Sequence, residues 1–338
     1  MEMSLLPPAR PVELASRPRG LVRWALSRIR AYSGVQPPPV ARNEQALYGF
    51  SQPVLGIRVL LADMELLKEA LYPAAVLALV CALWASVQGG AGRWSWFGHF
   101  YKAFALLAPL PSVIFANHYA RLGALIRWRL GLGACGPREF PLGMLIGRLV
   151  RQALIVAVGV LPFAALANAL PGIGNWLSAG VLGLWSVHWV VADAFDDAQV
   201  LQPGETLKAS IDHDRRARPP WFVRMFLKSA DVLQAAAEPL RFFGKPLRWA
   251  GKALRWFARL CDKLALDSRG EIATMEAHKA ITAGFAVSTA ALLATPVLNL
   301  LFRPIILAGS SHLLGQLEKL EQPESEGSLP PRHDEAKA

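Results

Sequence analysis

The chain has 338 residues, of which 53% are hydrophobic and only 18% are charged, against about 25% charged residues in an ordinary soluble domain. So few charges argue against a simple soluble domain. Lys and Arg exceed Asp and Glu by 11, which suits nucleic acid or an anionic membrane surface as a partner. The cysteines are widely separated and argue against a disulfide scaffold or a zinc ribbon.

The N-terminal residues 1–48 are basic and rich in proline, and they contain no apolar segment of the kind found in a secretory signal peptide. We predict that they form a cytoplasmic extension. Within them, residues 21–32 mix arginine with aromatic and aliphatic residues, a pattern typical of a short amphipathic helix at a membrane surface.

Several internal segments approach the roughly 20 apolar residues that a helix needs to cross the hydrocarbon core of a bilayer. Residues 70–87 carry no charge and predict the first spanning helix. Residues 98–120 contain Lys102 near their start and Pro109 and Pro111 inside, so they predict a second, kinked crossing.

Two further apolar regions are interrupted by proline. Residues 153–170 and 176–194 flank a turn of Pro and Gly and predict a helical hairpin. Residues 281–314 are too long for one straight crossing, and Pro296 divides them into a second predicted hairpin. In each break an asparagine follows the proline, a repeat that either points to a transporter binding site or reflects chance similarity.

The fold class predicted from these segments is an all-α integral membrane protein. It has two long spanning helices, two Pro-broken helical hairpins that span the membrane or partly penetrate it, and basic amphipathic interfacial helices. The membrane domain covers residues 49–317 and contains a basic amphipathic cytoplasmic insert at 215–270. Residues 318–338 form an acidic tail that we expect to be disordered.

The distribution of Lys and Arg predicts the orientation, because these residues collect in cytoplasmic loops. They concentrate in the first 69 residues and in segments 118–151 and 195–280, whereas segment 88–101 contains only Arg93. We therefore predict a multi-pass protein of the cell inner membrane with its N-terminus and C-terminus in the cytoplasm.

The insert contains a strongly basic segment whose charges recur every three or four residues. These charges are Lys245, Arg248, Lys252, Arg255, Arg259 and Lys263. They fall on one helical face, with leucine and aromatic residues around the rest of the helix. The pattern predicts an interfacial helix on anionic lipid of the bilayer. Nucleic acid is the rival partner, but the adjacent membrane segments explain both the charges and the aromatic residues, so we predict no nucleic-acid binding.

The sequence contains no convincing catalytic motif. Residues 131–136 satisfy G-x-G-x-x-G, but no strand precedes them as a dinucleotide-binding unit requires, so we interpret them as a loop. Signatures of P-loop nucleotide binding, zinc peptidases and serine hydrolases are absent from the sequence. We therefore expect no enzyme activity, no cofactor and no catalytic metal.

Polar residues inside apolar segments are the best candidates for a transport path, because burying them in lipid is costly. The candidates at the two proline breaks are Pro171, Gly172, Asn175, Pro296, Asn299 and Arg303. Helix starts at such breaks offer free N–H groups and a positive dipole end to an anion. Two alternatives stay open: Arg303 reaches an interface with its long side chain, or Asn175 only caps a helix.

A second set of candidates lies at the predicted inner end of the first hairpin, where His188 precedes Asp193 and Asp196. One imidazole and several carboxylates could contact an ion. The simpler interpretation is a helix leaving the membrane whose acidic groups pair with nearby arginines.

The final apolar region, residues 283–314, resembles the closing segment of the CysZ-type sulfate transporter family, also called etoposide-induced-protein-like membrane proteins. The likeness rests on its Gly-Phe start, its Pro-x-x-Asn break and its second arm of proline and small residues. Residues 49–73, 170–176 and 189–197 resemble other pieces of the family in the same order. The resemblance implies an α-helical inner-membrane protein with partly penetrating hairpins and, as in bacterial members, sulfate uptake. The basic insert and both terminal extensions depart from the family pattern.

The leading functional hypothesis is transport of a small, sulfate-like anion through a site built by the Pro-broken hairpins. The alternative is a structural or adaptor membrane protein that acts at the cytoplasmic membrane surface. A homo-oligomer is left open.

Overall fold

The computed structural model describes residues 21–88, 92–107, 114–133, 135–239, 244–295 and 302–321. These residues are almost entirely helical. Strand structure within them is limited to one short antiparallel pair, in which β1 (Gly136–Pro137) lies beside β2 (Val200–Leu201). The all-α expectation is confirmed at this level.

The helices of the first half are α1 (Leu21–Tyr32), α2 (Arg42–Ala62), α3 (Met64–Val87), α4 (Arg93–Leu107), α5 (Ala116–Arg129) and α6 (Leu142–Asn168), which includes a π-helical segment at Ile155–Val160. Those of the second half are α7 (Gly174–Ala198), α8 (Leu207–Arg216), α9 (Trp221–Ala236), α10 (Gly244–Leu264), α11 (Arg269–Ala277), α12 (Lys279–Ala294) and α13 (Phe302–Glu321). A short 3₁₀ turn at Leu266–Ser268 precedes α11.

Three of these helices, α3, α6 and α7, are long and apolar enough to cross a membrane. The bent pair Leu266–Ala277 and Lys279–Ala294, which meets at 105°, becomes a fourth crossing if it acts as one span. By helix length and composition the chain is therefore a possible multi-pass membrane protein. The predicted first crossing and first hairpin both correspond to helices of this kind.

The predicted kinked crossing at residues 98–120 is instead divided between two short helices. Helix α4 has 15 residues and α5 has 14, fewer than the roughly 20 that a straight crossing requires. Pro109 and Pro111 fall between the two helices, outside the described residues. Helix α5 also carries several arginines and is half covered by protein. Helices α4 and α5 therefore do not form one continuous apolar crossing.

The three candidate spans expose most of their apolar side chains. In each candidate span, only 17% to 22% of the most apolar stretch is buried inside the protein. The exposed side chains include Leu79, Leu83, Trp84, Val150, Leu166, Trp176 and Leu184. So large an apolar surface would be unfavourable in water and is suited to contact with lipid.

Helix α2 lies at the centre of the packed part of the molecule, against both α12 and α13. Glycines make this close approach feasible. A Cβ atom on Gly49 would lie 1.9 Å from the carbonyl oxygen of Ile281, and one on Gly284 would lie 1.8 Å from that of Ala46. Larger side chains at these positions would force the two helices apart, so the glycines set the distance between α2 and α12.

Helix α13 is buried along most of its length, with every residue from 304 to 317 covered. Its His312 contacts Gln52 of α2 at 2.8 Å, and neither side chain is exposed. The second arm of the predicted 281–314 hairpin is thus surrounded by protein. Pro296 and Asn299, on which that hairpin was predicted to turn, lie outside the described residues.

The residues before position 49 are partly integrated into this core. Helix α2 runs continuously through the predicted domain boundary at residue 48. Arg58 donates a 2.6 Å hydrogen bond to the carbonyl of Ser33, and the hydroxyl of Ser51 donates one of 3.1 Å to the carbonyl of Tyr32. Residues 21–48 therefore pack with the helical domain, and the boundary at 48 marks no gap between structural units.

Candidate functional site

A group of buried ionisable side chains gathers at one end of the α6/α7 hairpin. We call it the ion cluster and define it as Arg138, Arg148, Asp193, Asp196, Asp197, Asp214, Glu271 and Arg303. The three aspartates of α7 share one helix face, because residues three and four positions apart lie above one another. The other members come from α6, α8, α11, α13 and the segment after α5.

Arg138 and Arg148 form the centre of the ion cluster. The guanidinium of Arg148 lies 2.7 Å from Asp196 and 3.5 Å from Glu271. Arg138 pairs with Asp214 and lies 3.6 Å from Asp196 and 3.8 Å from Glu271. The side chains of Arg138 and Glu271 are only 2% and 1% exposed, so these charges interact with little screening by water.

Arg303 occupies the opposite side of the same cluster. Its guanidinium donates a 2.8 Å hydrogen bond to Asp197 and lies over the ring of Tyr119. Nearby, Gln152 of α6 donates a 2.8 Å hydrogen bond to Asp193. Arg303 is therefore held in a buried ion pair with Asp197.

The cluster surrounds a small cavity of about 40 Å³. Its wall contains equal numbers of acids and bases: Asp193, Asp196, Asp197, Arg138, Arg148 and Arg303. A polar cavity of this size accommodates one or a few water-sized groups.

Several polar atoms around the cavity have no hydrogen-bond partner among the described residues. They include Nη1 and Nε of Arg138, Oδ1 of Asp196 and both carboxylate oxygens of Glu271. Buried polar atoms are usually hydrogen-bonded, whereas the contacts among Arg138, Asp196 and Glu271 are longer ion pairs of 3.6 to 3.8 Å. Nη1 of Arg138 and Oδ1 of Asp196 lie 3.6 Å apart, so these two atoms form an ion pair that is longer than a hydrogen bond.

Each arginine of the ion cluster has a carboxylate close enough to neutralise its charge. Asp214 and Glu271 add two further acidic groups to the balanced cavity wall, so acids outnumber bases. Asp214 lies on α8, outside the candidate spans, and burial raises the pKa of its carboxyl group although Arg138 beside it acts in the opposite direction. An anion entering this cavity must therefore compete with carboxylates for the guanidinium groups.

The structure separates the residues predicted to form the transport path. Pro171, Gly172 and Asn175 are exposed at the turn between α6 and α7, where Gly172 has a φ of +83°. Helix α7 rises 1.5 Å per residue, which puts about 30 Å between Asn175 and Asp196. The turn and the ion cluster, which includes Arg303, thus lie at opposite ends of the hairpin. Pro296 and Asn299 lie outside the described residues.

His188 does not join the aspartates. Its ring lies between those of Trp185 and Trp189, and its Nε2 atom is buried without a hydrogen-bond partner among the described residues. Asp193 and Asp196 belong to the ion cluster instead. No group of three or more His, Cys, Asp or Glu side chains able to hold a metal ion occurs in the described part of the chain.

Sequence reasoning missed Arg138, Arg148, Asp214 and Glu271 as members of one site. The two arginines contributed only to the count of basic residues in segment 118–151, and neither Asp214 nor Glu271 was a candidate site residue. One available signal was the position of Arg148 at the start of a mostly apolar helix, because a charge there needs a partner. The identity of that partner depends on the tertiary fold.

The G-x-G-x-x-G segment follows α5 and leads into β1. Gly131 and Gly133 have φ values of +67° and +108°, a backbone conformation that glycine adopts without strain. The following strand pairs antiparallel with β2, and no parallel sheet occurs among the described residues. The arrangement differs from that of a dinucleotide-binding unit.

A comparison with known proteins found no matching family model, no matching curated protein and no matching solved structure.

Proposed function

We propose that this protein transports a small oxyanion across a membrane and that the ion cluster binds the anion at one end of the α6/α7 hairpin. The observation that carries the proposal is the gathering of three largely buried guanidinium groups, those of Arg138, Arg148 and Arg303, around one cavity. Ionisable residues on membrane helices commonly mark ion pathways, and guanidinium groups suit planar recognition of oxyanions.

The ion pairs of the cluster suggest how the anion is bound and released. When a proton from solution binds Asp196 or Asp197, the carboxyl group becomes neutral and its attraction for Arg148 or Arg303 is lost. The freed N–H groups then donate hydrogen bonds to the entering oxyanion. Loss of the proton restores the ion pair and displaces the anion, so the proposal couples anion movement to proton movement.

Sulfate is the first anion to test, because the sequence resembles the CysZ-type family around the final helices. This resemblance is part of the proposal. The turn at 171–175 then lies at the other mouth of the path, about 30 Å from the cluster along α7.

A proteoliposome assay tests the proposal. Purified full-length protein is reconstituted, and uptake of radiolabelled sulfate is followed with and without an inward proton gradient. We expect uptake above that of empty vesicles, stimulated by external acid. Arg303→Gln should abolish uptake, because it removes an anion donor and leaves Asp197 without a partner.

The matched control is Arg121→Gln, which removes an exposed arginine paired with Glu139. This variant should retain wild-type uptake. Size-exclusion chromatography and circular dichroism establish that both variants are folded. If the folded wild-type protein moves no sulfate, phosphate or other oxyanion above leakage, or if both variants behave alike, the proposal is wrong.

A second candidate function, an adaptor at the membrane surface, is favoured by the outer side of α10. Gly251 of α10 packs against Ala230 and Gln234 of α9, and Ala258 is also buried. The opposite side exposes Trp249 and Trp256 by 74% and 66%, together with Lys252 and other basic residues. Removing these exposed side chains should abolish membrane-surface recruitment of a partner without changing anion flux if this function is the correct one.

A further inference from the structure

Each arginine in the cavity wall of the ion cluster lies over an aromatic ring. The guanidinium carbons of Arg138 and Arg148 lie 5.1 and 4.8 Å from the centre of the Phe140 ring. That of Arg303 lies 5.3 Å from the centre of the Tyr119 ring. These distances are within the range of cation–π attraction, which becomes stronger where water is excluded. Both rings are buried, so water screens these contacts little.

The position of Phe140 is fixed through both its backbone and its ring. The side chain of Asn117 on α5 accepts a 2.9 Å hydrogen bond from the N–H of Phe140 and donates one of 3.0 Å to its carbonyl. The ring belongs to a small apolar cluster with Ala116 and Leu145. Phe140 therefore provides a fixed support for the guanidinium groups of Arg138 and Arg148.

The carboxylates and the rings hold the arginines by different means. A carboxylate loses its attraction for a guanidinium group when it binds a proton, whereas the π face of a ring carries no proton-binding group and keeps its attraction. In the proposed transport cycle, Arg148 loses Asp196 as a partner in this way. Because the arginine side chain is long and flexible, its freed guanidinium would then turn toward Glu271, which lies 3.5 Å away. A ring contact that persists opposes this movement.

We propose that Phe140 and Tyr119 are positioning residues of the anion site, which keep the three guanidinium groups beside the cavity after the carboxylates have been protonated. This inference rests on the proposed transport of an oxyanion. The rings act through the arginines, whose donors they preorganise for the anion. Weakening a ring contact should therefore raise the KM for the anion and leave the maximal rate nearly unchanged.

Fluorination of Phe140 tests the inference, because fluorine atoms withdraw electron density from the face of the ring with little change in its size. Phenylalanine with one, two or three fluorine atoms is introduced at position 140 of the full-length protein, and sulfate uptake is measured in proteoliposomes. KM should rise stepwise, by about fivefold or more for three fluorine atoms, at a nearly constant maximal rate. The denaturant midpoint of unfolding in detergent micelles should fall stepwise in the same series.

The matched control is the same fluorinated series at Phe104 of α4, a ring that is 8% exposed against 7% for Phe140 and that has no arginine over it among the described residues. There KM should not change. At the other ring, Tyr119→Leu removes the aromatic face under Arg303 and should raise KM more than Tyr119→Phe, which keeps that face.

The outcomes separate this inference from the transport proposal. If the wild-type protein moves sulfate but KM is independent of the number of fluorine atoms at position 140, or changes equally at position 104, the positioning role is wrong and transport stands. If the wild-type protein moves no oxyanion, the transport proposal is wrong. An unfolding midpoint that stays constant through the Phe140 series would contradict the ring contacts themselves.

Discussion

Individual charged residues differ in energetic importance according to whether they are buried. Removing one partner of a buried ion pair leaves the other charge without compensation, at a cost of about 3–5 kcal/mol. An exposed pair contributes roughly 0–1 kcal/mol. Arg148 is 11% exposed and Arg121 is 68% exposed, so the two arginines should respond very differently to the same substitution.

We therefore expect Arg148→Met to lower the free energy of unfolding by about 3 kcal/mol or more, because Asp196 and Glu271 lose the nearer of their two arginine partners. Arg121→Met should change it by less than about 1 kcal/mol. Reversible denaturant unfolding in detergent micelles measures both effects. Equal, small changes in the two variants would show that water, and not Arg148, compensates the buried carboxylates.

The glycines of the core provide a second comparison at single residues. Gly284→Ala places a methyl group against the carbonyl of Ala46, and we expect a loss of about 1–3 kcal/mol from overpacking. Gly180→Ala occurs in an open part of α7 and should stabilise the helix by about 0.5–1 kcal/mol. The same unfolding measurement applies. A neutral Gly284→Ala would contradict the close approach of α2 and α12.

At the level of helices, α10 has the features of an element that lies on a membrane surface. Gly251 packs against α9, and tryptophan and basic side chains face outward. The basic residues share one side, as the sequence pattern predicted, whereas Phe257 on the apolar side packs against Phe226 of α9. The structure adds that Trp249 and Trp256 share the exposed side with the positive charges.

A fluorescent label on Ala253→Cys tests this property, because Ala253 is exposed on α10. The emission of an NBD label should shift to the blue when the protein is in vesicles with anionic lipid, and high salt should reverse the shift. The same label at Lys208→Cys on α8 is the control and should not respond. The experiment uses a background in which the native cysteines are replaced. Identical behaviour at the two positions would argue against an interfacial α10.

Long, uncharged apolar runs made α3 and the α6/α7 hairpin predictable, because their length and composition alone indicate a crossing. Helix α2 could not be recognised as the centre of the fold. Its residues Ser51 and Gln52 are of polar types that usually lie at the surface, whereas here other helices cover them completely. The prediction for α13 was wrong in the opposite way. Its apolar residues were expected to contact lipid, whereas they are buried against protein.

The ion cluster could be predicted only in part. Asp193, Asp196 and Arg303 were recognised individually because each lies in or beside an apolar segment. Their partners Arg138 and Glu271 are separated from them by many residues, and only the packing of α11 and the segment after α5 brings them together. The pairing of Arg303 with Asp197 also crosses from α13 to α7 and has no local signal in the sequence.

Over the whole molecule, two regions with different surroundings are evident. Helices α2, α12 and α13 form a packed core with buried polar groups, whereas α3, α6 and α7 expose apolar side chains along most of their length. The ion cluster lies at the boundary between these regions. This arrangement places a charged cavity at one end of the α6/α7 hairpin and the turn at 171–175 at the other.

The claim that the α6/α7 hairpin crosses the membrane, with the ion cluster at its cytoplasmic end, is tested most directly by cysteine accessibility. Asn175→Cys and Lys208→Cys are introduced separately into full-length protein without native cysteines, and intact cells are treated with a membrane-impermeant thiol reagent. We predict that Asn175→Cys is labelled in intact cells and that Lys208→Cys is labelled only after permeabilisation. Labelling of both positions from the same side of the membrane would contradict the account.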